Sequence, residues 1–140
     1  MRKISFRAWD KKDKIMREIY GIQFPKISNH GNRENTIIEM HCSDYEGQKA
    51  IILSDFTRNI KDIELLQFTG LTDKNGVEIF EGDVVKNTPL NIDFHTKPVE
   101  VKWDKHFAGW LFGGNSAPHY YDADDIEVIG NIYSNPELIK

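Results

Sequence analysis

The second half of the chain is a series of short apolar or alternating segments, each separated from the next by turn residues. The clearest turn is Asn75-Gly76, because Asn-Gly between two apolar runs is the strongest short-range signal of a β hairpin. No long stretch shows the periodicity of an amphipathic helix. Short strands at this spacing, joined by glycine-rich turns, favour a small barrel or roll, which protects its strand edges by closing.

One segment of this series alternates strictly between apolar and charged residues. Its apolar members are Val99, Val101 and Trp103, and its charged members are Glu100 and Lys102. This period is typical of an antiparallel strand with one buried face and one solvent face. We therefore expect the three apolar side chains to face the core, since a register slip of one residue would bury both charges.

The first part of the chain predicts β hairpins. Residues 4–9 alternate as a strand does, and residues 15–22 follow a charged turn as the second arm. A second hairpin is predicted from residues 36–40 and 50–53, which are rich in β-branched side chains. Between the two hairpins, residues 25–35 lack periodicity and collect turn formers. We interpret them as a mobile loop.

A polar stretch at residues 54–62 is the best candidate for a boundary within the chain. The predicted organisation is an N-terminal β region at 1–62 and a C-terminal SH3-like roll at 63–140. Near the end, Asn135-Pro136-Glu137 has the composition of a helix start, with a capping residue, a first-turn proline and an acid that suits the helix dipole. A short helical turn is expected there. The predicted fold class is mainly β.

Composition excludes several classes of protein. The 140 residues carry a formal net charge of −4, which argues against a broad electrostatic grip on phosphates. No run of 18 apolar residues occurs, so a membrane-spanning helix is not expected. Cys42 is the single cysteine and has no partner for an internal disulfide. With no apolar run after the basic N-terminus to act as a signal peptide, we expect a cytoplasmic protein, inside a host cell.

Three stretches of the chain match one known pattern: KISFRAWDKKDKIM at 3–16, LLQFTGLTDKNGVEIFEGDVV at 65–85 and DIEVIGNIYSNPEL at 125–138. The middle stretch is the most specific, since its Thr-Gly-Leu, Asn-Gly and Glu-Gly-Asp elements stand in the same order and spacing. The chain thus resembles the YopX-like family of small phage and prophage proteins. The resemblance implies a β-rich fold with an SH3-type C-terminal roll. It implies no established biochemical activity and offers no catalytic residues.

The matched glycines and aspartates have a structural interpretation. Gly70, Gly76 and Gly82 are expected where the backbone needs a positive φ or a close approach. Asp73 and Asp83 are expected to accept hydrogen bonds from nearby backbone amides in turns. These residues are the signature of a fold and are not candidates for an active site.

Aromatic residues are concentrated in the C-terminal half, and a small barrel buries only some of them. Rings left outside would form a groove suited to an extended peptide or, with lysines nearby, to single-stranded bases. The alternative is that most of the rings fill the barrel. The candidate binding surface consists of Trp103, Phe107, Trp110, Phe112, Tyr120 and Tyr121. The leading hypothesis is a noncatalytic interaction module, a phage accessory protein that binds another protein. A homo-oligomer is a further option.

Two other functions stay open. A nucleic-acid-binding accessory factor would use the basic residues near the N-terminus, which are Arg2, Lys3, Arg7, Lys11, Lys12 and Lys14. A metal-dependent enzyme would need the scattered histidines to converge with nearby acids. The candidates are His95, His106 and His119 with Asp122, Asp124 or Asp125.

The chemistry-bearing residues do not form a recognisable active site. His41 and Cys42 are adjacent and would point to opposite faces of a strand. Gly113-Gly114-Asn115-Ser116 lacks the lysine of a phosphate-binding loop, and no Gly-x-Ser-x-Gly element is present. We therefore expect no enzymatic activity, no metal and no cofactor.

Overall fold

A computed structural model of the chain describes residues 3–19, 37–40, 56–87, 97–113 and 125–140. Within these ranges the chain is mainly β, as predicted, and helical structure is confined to short 3-10 turns. None of the helices in these ranges is long and apolar enough to cross a membrane. The predicted mobile loop at 25–35 lies outside the described residues.

Ten strands are described. The first four are β1 (Phe6–Asp10), β2 (Ile15–Glu18), β3 (Ile37–Met40) and β4 (Phe56–Asn59), followed by a 3-10 turn at Ile60–Asp62. The others are β5 (Ile63–Thr72), β6 (Glu78–Phe80), β7 (Asp83–Asn87), β8 (Val99–Asp104), β9 (Gly109–Phe112) and β10 (Ile126–Asn131). They form sheets with strand orders β2-β1-β5-β6, β10-β7-β8-β9 and β3-β4.

The chain divides into two compact units. The N-terminal unit is Ser5–Leu65, and the C-terminal unit is Leu66–Lys140 together with Met1–Ile4. This division falls within β5, whereas the sequence placed its boundary after residue 62.

The N-terminal unit contains the predicted β1–β2 hairpin, in which the strands pair antiparallel from Arg7 opposite Glu18 to the turn. Asp10 ends β1 with no exposed surface. Its carboxylate accepts hydrogen bonds from the backbone N–H groups of Lys12 at 2.9 Å and Asp13 at 3.0 Å, and Arg17 Nε donates a third at 3.1 Å. A buried carboxylate requires this degree of pairing, so the turn is held by its own charged residues.

Of the second predicted hairpin, the structure describes only the first arm, as β3. β3 pairs antiparallel with β4, with Ile37 opposite Asn59 and Met40 opposite Phe56. β4 (Phe56–Asn59) lies within residues 54–62, whose polar composition predicts a boundary. Polarity does not prevent a strand, since pairing depends on backbone hydrogen bonds and on the neighbouring strand. The predicted arm at 50–53 lies outside the described residues.

The core of the C-terminal unit is one cluster of apolar side chains from β6 to β10. Its buried members are Ile79, Val85, Val101, Phe112 and Ile126, with the half-buried Val99, Trp110 and Val128 packed against them. These residues come from β6, β7, β8, β9 and β10, so each strand contributes a side chain to one apolar cluster. Burial of this apolar surface is the main source of stability for the unit.

The hairpin predicted at Asn75-Gly76 is confirmed. β5 and β6 pair antiparallel, with Phe68 opposite Phe80 and Thr72 opposite Glu78. Gly76 has a φ of +81°, a conformation that glycine adopts without the steric cost of a Cβ atom.

Asp73 organises this hairpin turn from within. Its carboxylate accepts hydrogen bonds from the backbone N–H groups of Asn75 at 2.8 Å, Val77 at 2.9 Å and Val128 at 3.0 Å. Burial raises the pKa of Asp73, but the amides of Val128, Val77 and Asn75 outweigh that effect and hold the pKa below its usual value. Asp73 therefore connects the β5–β6 turn to β10 as a charged acceptor.

The expectation for β8 is wrong at one position. Val101 is fully buried and Val99 is half-buried, but the side chain of Trp103 is 46% exposed. Lys102 is exposed as expected, and Glu100 is half-buried. Alternation assigns Trp103 to the same face as Val101, but it carries no information on whether that part of the face is covered.

The end of the chain forms the expected helical turn. Residues Pro136–Ile139 adopt a 3-10 helix with the proline in its first turn, although the side chain of Asn135 makes no capping hydrogen bond. The turn packs closely on β10, since a Cβ atom at Gly130 would lie 2.6 Å from Leu138 Cδ1.

Candidate functional site

The candidate surface is built on the hairpin of β8 and β9. Val101 pairs with Phe112, and two residues further along β8, Trp103 pairs with Trp110. Residues two apart in a strand share a face. The core pair and the tryptophan pair therefore lie on the same face, with the tryptophans nearer the tip of the hairpin.

The two tryptophans pack against each other across the hairpin. Their ring centroids are 5.1 Å apart and their planes meet at 76°, which is an edge-to-face arrangement. Such cross-strand aromatic pairs stabilise a hairpin beyond the area that they bury. Trp110 is half-buried against the core cluster, while Trp103 lies further out. The pair thus forms the margin between core and surface.

The tip of the hairpin is a turn organised by Asp104. The Asp104 carboxylate accepts hydrogen bonds from the backbone N–H groups of His106 at 2.7 Å and Phe107 at 3.1 Å. The Phe107 amide is the main cause of the lowered pKa of Asp104. The His106 amide and the charges of His106 and Lys102 lower this pKa further, whereas partial burial raises it. The turn presents the ring of Phe107, which is 73% exposed.

A concavity of about 290 Å³ lies beside the tryptophan pair. Its described walls are formed by Trp103, Trp110, Gln67 and Glu81. Gln67 belongs to β5, and Glu81 belongs to the turn between β6 and β7. Three separate parts of the C-terminal unit therefore build one depression.

Backbone hydrogen bonds fix the position of Glu81 in this depression. The N–H of Glu81 donates to the carbonyl of Gln67 at 2.9 Å, and the N–H of Gly82 donates to the carbonyl of Val101 at 2.7 Å. The Glu81-Gly82 turn is thereby bonded to β5 on one side and to β8 on the other. The fold thereby fixes the backbone of Glu81 at the edge of the depression.

The Glu-Gly-Asp element of the sequence divides into distinct roles. Asp83 is buried, and its carboxylate accepts a hydrogen bond from the N–H of Phe80 at 2.8 Å, which closes the turn. Gly82 has a φ of +77°, and a Cβ atom there would lie 3.2 Å from Tyr133 Cε2. The structural interpretation of these two residues is confirmed. Glu81 is the member that lines the concavity.

The indole nitrogen of Trp110 is buried and makes no hydrogen bond to any described residue. Leaving a buried donor without an acceptor costs about 1–3 kcal/mol.

The structure separates the six residues of the predicted surface into groups. Trp103 and Phe107 are exposed, Trp110 is half-buried, and Phe112 is 4% exposed within the core. Tyr120 and Tyr121 lie outside the described residues. Gln67 and Glu81 could not be predicted as members of the site, because both are polar residues remote in sequence and only the folded sheet brings them to the tryptophans.

Three of the basic residues proposed for nucleic-acid binding lie beside carboxylates. The ion pairs are Lys3 with Glu78, Lys11 with Glu64 at 2.8 Å and Lys12 with Asp62 at 2.7 Å. Lys14 is exposed in the β1–β2 turn and Arg7 is half-buried, while Arg2 lies outside the described residues. Much of the positive charge near the N-terminus is thus matched by acids of the same chain.

The histidines proposed as metal ligands do not meet within the described residues. His106 is exposed at the tip of the β8–β9 hairpin, and Asp125 lies just before β10. In the part of the chain that the structure describes, no three histidine, cysteine, aspartate or glutamate residues are placed to hold a metal ion. The other candidates lie outside that part: His41, Cys42, His95, His119, Asp122 and Asp124.

Comparisons with known proteins identify a family and solved structures with a similar fold. A family model described as YopX protein matches residues 5–140. The crystal structure of protein EF1440 from Enterococcus faecalis is similar, with a TM-score of 0.60, 26% sequence identity and coverage of 100% of both chains. No curated protein matches the chain.

Proposed function

The chain belongs to the YopX family, and we propose that it is a noncatalytic protein-interaction module, an accessory protein of a phage or prophage. The partner binds at the outer half of the β8–β9 hairpin. We call this region the hairpin-tip surface, which consists of Trp103, Phe107 and Trp110 with the adjoining Gln67 and Glu81.

The observation that carries the proposal is the exposure of large aromatic rings on an ordered hairpin. Phe107 is 73% exposed and Trp103 is 46% exposed. Exposed aromatic side chains beside a depression are typical of surfaces that bind other proteins, and tryptophan is among the residues that contribute most to binding energy in interfaces. Asp104 and the tryptophan pair order the backbone of the hairpin, so the turn does not have to form on binding.

The nucleic-acid alternative has weaker support. Phosphate binding depends on lysine and arginine charges that displace counterions. Lys3, Lys11 and Lys12 are each paired with a carboxylate, and the net charge of the chain is −4.

Affinity capture tests the proposal. The tagged wild-type chain and a Trp103→Ala/Phe107→Ala variant are used as baits in a nuclease-treated lysate of cells that carry the phage or prophage. Leu71→Ala is the matched control, because Leu71 is 40% exposed in the same unit and is not among the described residues that line the concavity. A protein partner should be retained by the wild type and the control and lost by the double variant.

Two outcomes contradict the proposal. Capture of the same partner by the double variant would show that the hairpin-tip surface is not the binding site. Capture that disappears after nuclease treatment, and that weakens steeply with salt in a direct binding assay, would favour the nucleic-acid alternative.

A further inference from the structure

We infer that the partner binds the hairpin-tip surface through an acidic segment, a conclusion that rests on the interaction function proposed above. The residues that attract this segment are Lys102, Lys105 and His106, which stand beside Trp103 and Phe107 in the chain. Two turns of the protein, the β1–β2 turn and the β8–β9 turn, share one construction and differ in how their positive charges are matched. That difference leaves the cations of the β8–β9 turn available to a partner.

The two turns have the same backbone construction. Each begins with Trp-Asp-Lys, at residues 9–11 and 103–105. The aspartate pairs with the first residue of the next strand, so each loop has four residues. Its carboxylate accepts hydrogen bonds from the backbone N–H groups two and three residues further on. The last loop residue has a positive φ, +56° at Lys14 and +49° at Ala108. The β1–β2 turn is therefore an internal reference for the β8–β9 turn.

Most of the lysines in the β1–β2 turn are matched by carboxylates of their own unit. Lys11 pairs with Glu64 at 2.8 Å, and Lys12 pairs with Asp62 at 2.7 Å. Lys14 is exposed. A partner would have to displace two carboxylates of the chain before it could bind the paired lysines, so this turn offers little free charge.

The cations of the β8–β9 turn are not matched in this way. Lys102, Lys105 and His106 are exposed. Within the described residues, Asp104 is the one carboxylate with an interaction to any of these three, and two backbone amides already share it. Two lysines, joined by the histidine when it is protonated, thus outnumber one aspartate. The end of this hairpin has an excess of positive charge in a chain whose formal net charge is −4.

Exposed rings stand next to these cations. Phe107 is 73% exposed and Trp103 is 46% exposed. In the β1–β2 turn the position equivalent to Phe107 is Asp13, and Trp9 is half-buried. An acidic segment that contains an apolar residue therefore finds opposite charges and an apolar contact together at the β8–β9 turn. Such complementarity speeds association and selects against basic partners.

The number of charges favours a peptide over a nucleic acid. Nonspecific binding to nucleic acid gains its affinity from many lysine and arginine contacts, each of which releases counterions from phosphates. Residues 102–109 contain two lysines, and the chain as a whole is acidic. A long polyanion is therefore poorly matched to this protein, whereas a short acidic segment needs only a few opposite charges.

Nuclear magnetic resonance of the full chain tests the inference with small peptide probes. The probes are acetylated and amidated Glu-Glu-Leu-Glu, the neutral Gln-Gln-Leu-Gln of nearly the same shape, and the basic Lys-Lys-Leu-Lys. The indole N–H resonance of Trp103 and the backbone N–H resonance of Phe107 should shift with the acidic probe in the millimolar range. The indole resonance of Trp9, at the equivalent position of the β1–β2 turn, should not move.

The charge of the probe should decide its affinity. The neutral probe should bind about fivefold more weakly than the acidic one, as expected from the loss of contacts between exposed charges, and the basic probe should bind more weakly still. Absence of any shift at Trp103 and Phe107 with the acidic probe, or equal binding of the acidic and neutral probes, would overturn the inference. Binding of a single-stranded thymidine oligonucleotide of equal charge, at least as tight as that of the acidic peptide, would also overturn it.

A pair of matched variants locates the charge. Lys105→Gln should weaken binding of the acidic probe about twofold, because it removes one exposed charge. Lys11→Gln is the control, since Lys11 is the equivalent residue of the β1–β2 turn and is paired with Glu64. It should leave binding unchanged. Equal losses in the two variants would show that the probe responds to the overall charge of the chain and would contradict the inference.

The two proposals fail in different ways. If the Trp103→Ala/Phe107→Ala variant loses the captured partner but the acidic and neutral probes bind equally, the hairpin-tip surface is the interface and the acidic segment is wrong. If capture does not depend on the two aromatic residues, the interaction proposal itself is wrong, and binding of the acidic probe then has no role in partner recognition.

Discussion

The two ends of the β8–β9 hairpin carry apolar residues on the same face. The residues at one end are buried in the core, and those at the other end are partly exposed. At one end Val101 and Phe112 pair inside the core, with exposures of 0% and 4%. At the other end Trp103 and Trp110 pair at the margin of the unit, and Trp103 is 46% exposed. Local pairing is equivalent at both ends, so the difference comes from what the rest of the unit places over each end.

The covering elements account for the contrast. Ile79, Val85 and Ile126 pack over the core end from β6, β7 and β10. At the outer end, the polar residues Gln67 and Glu81 line a depression beside Trp103 and Trp110, which leaves the tryptophan pair partly uncovered. An identical strand pattern thus supports stability at one end and is available for recognition at the other.

Removal of the core ring should have the largest effect. Phe112→Ala leaves a cavity among buried aliphatic side chains, and truncation of a buried phenylalanine costs about 3–5 kcal/mol. The free energy of unfolding from denaturant titration should fall by that amount. A loss below about 1 kcal/mol would show that the two ends of the hairpin do not differ in burial.

Removal of the buried turn carboxylate should have the next largest effect. Asp73→Ala leaves the amides of Asn75, Val77 and Val128 without their acceptor, which should cost about 3 kcal/mol at neutral pH. Asp104→Ala is the matched change at the exposed tip and should cost much less. Equal losses in denaturant titrations would contradict the contrast between the two turns.

The pH dependence of stability should follow from the same carboxylate. Folding lowers the pKa of Asp73, so its contribution is complete at neutral pH and is lost as the pH falls through the acid range below about 4. Asp73→Asn should be less stable than the wild type at neutral pH, and it should lose less stability as the pH falls from about 5 to about 2. Thermal unfolding over this pH range measures the difference. Parallel curves for the two proteins would exclude this role.

Removal of the outer tryptophan should have a small effect on stability. Trp103→Ala loses an edge-to-face contact and part of a half-exposed ring, which together amount to about 1 kcal/mol. Denaturant titration checks this value. A loss of about 3 kcal/mol or more would place the ring in the core after all and would remove the basis for the hairpin-tip surface.

The smallest effect is expected for Phe107. Its ring is 73% exposed, and surface substitutions away from special features change stability by less than about 0.5 kcal/mol. Phe107→Ala should therefore unfold like the wild type while it weakens partner capture. A stable variant with impaired capture separates binding from folding more clearly than any change at the core end.

Several elements of this protein could be predicted from local sequence. The β1–β2 hairpin, the turn at Asn75-Gly76 and the 3-10 turn after Asn135 each depend on a few neighbouring residues, and all three are present. β4 was missed because Phe56–Asn59 is polar and shows its strand character only through its pairing with β3. The pairing of two distant segments cannot be predicted from the composition of either segment alone.

The sequence by itself determined which side chains share a face, because the period of a β strand is two residues and the alternation of Val99, Val101 and Trp103 sets it directly. It also determined the glycine and aspartate positions of the turns, since positive φ angles and amide acceptors are local requirements. Only the tertiary structure decided where the shared face is covered. That depends on strands far away in sequence, and the same non-local packing brings Gln67 and Glu81 to Trp103 and makes the outer half of the hairpin a candidate for recognition.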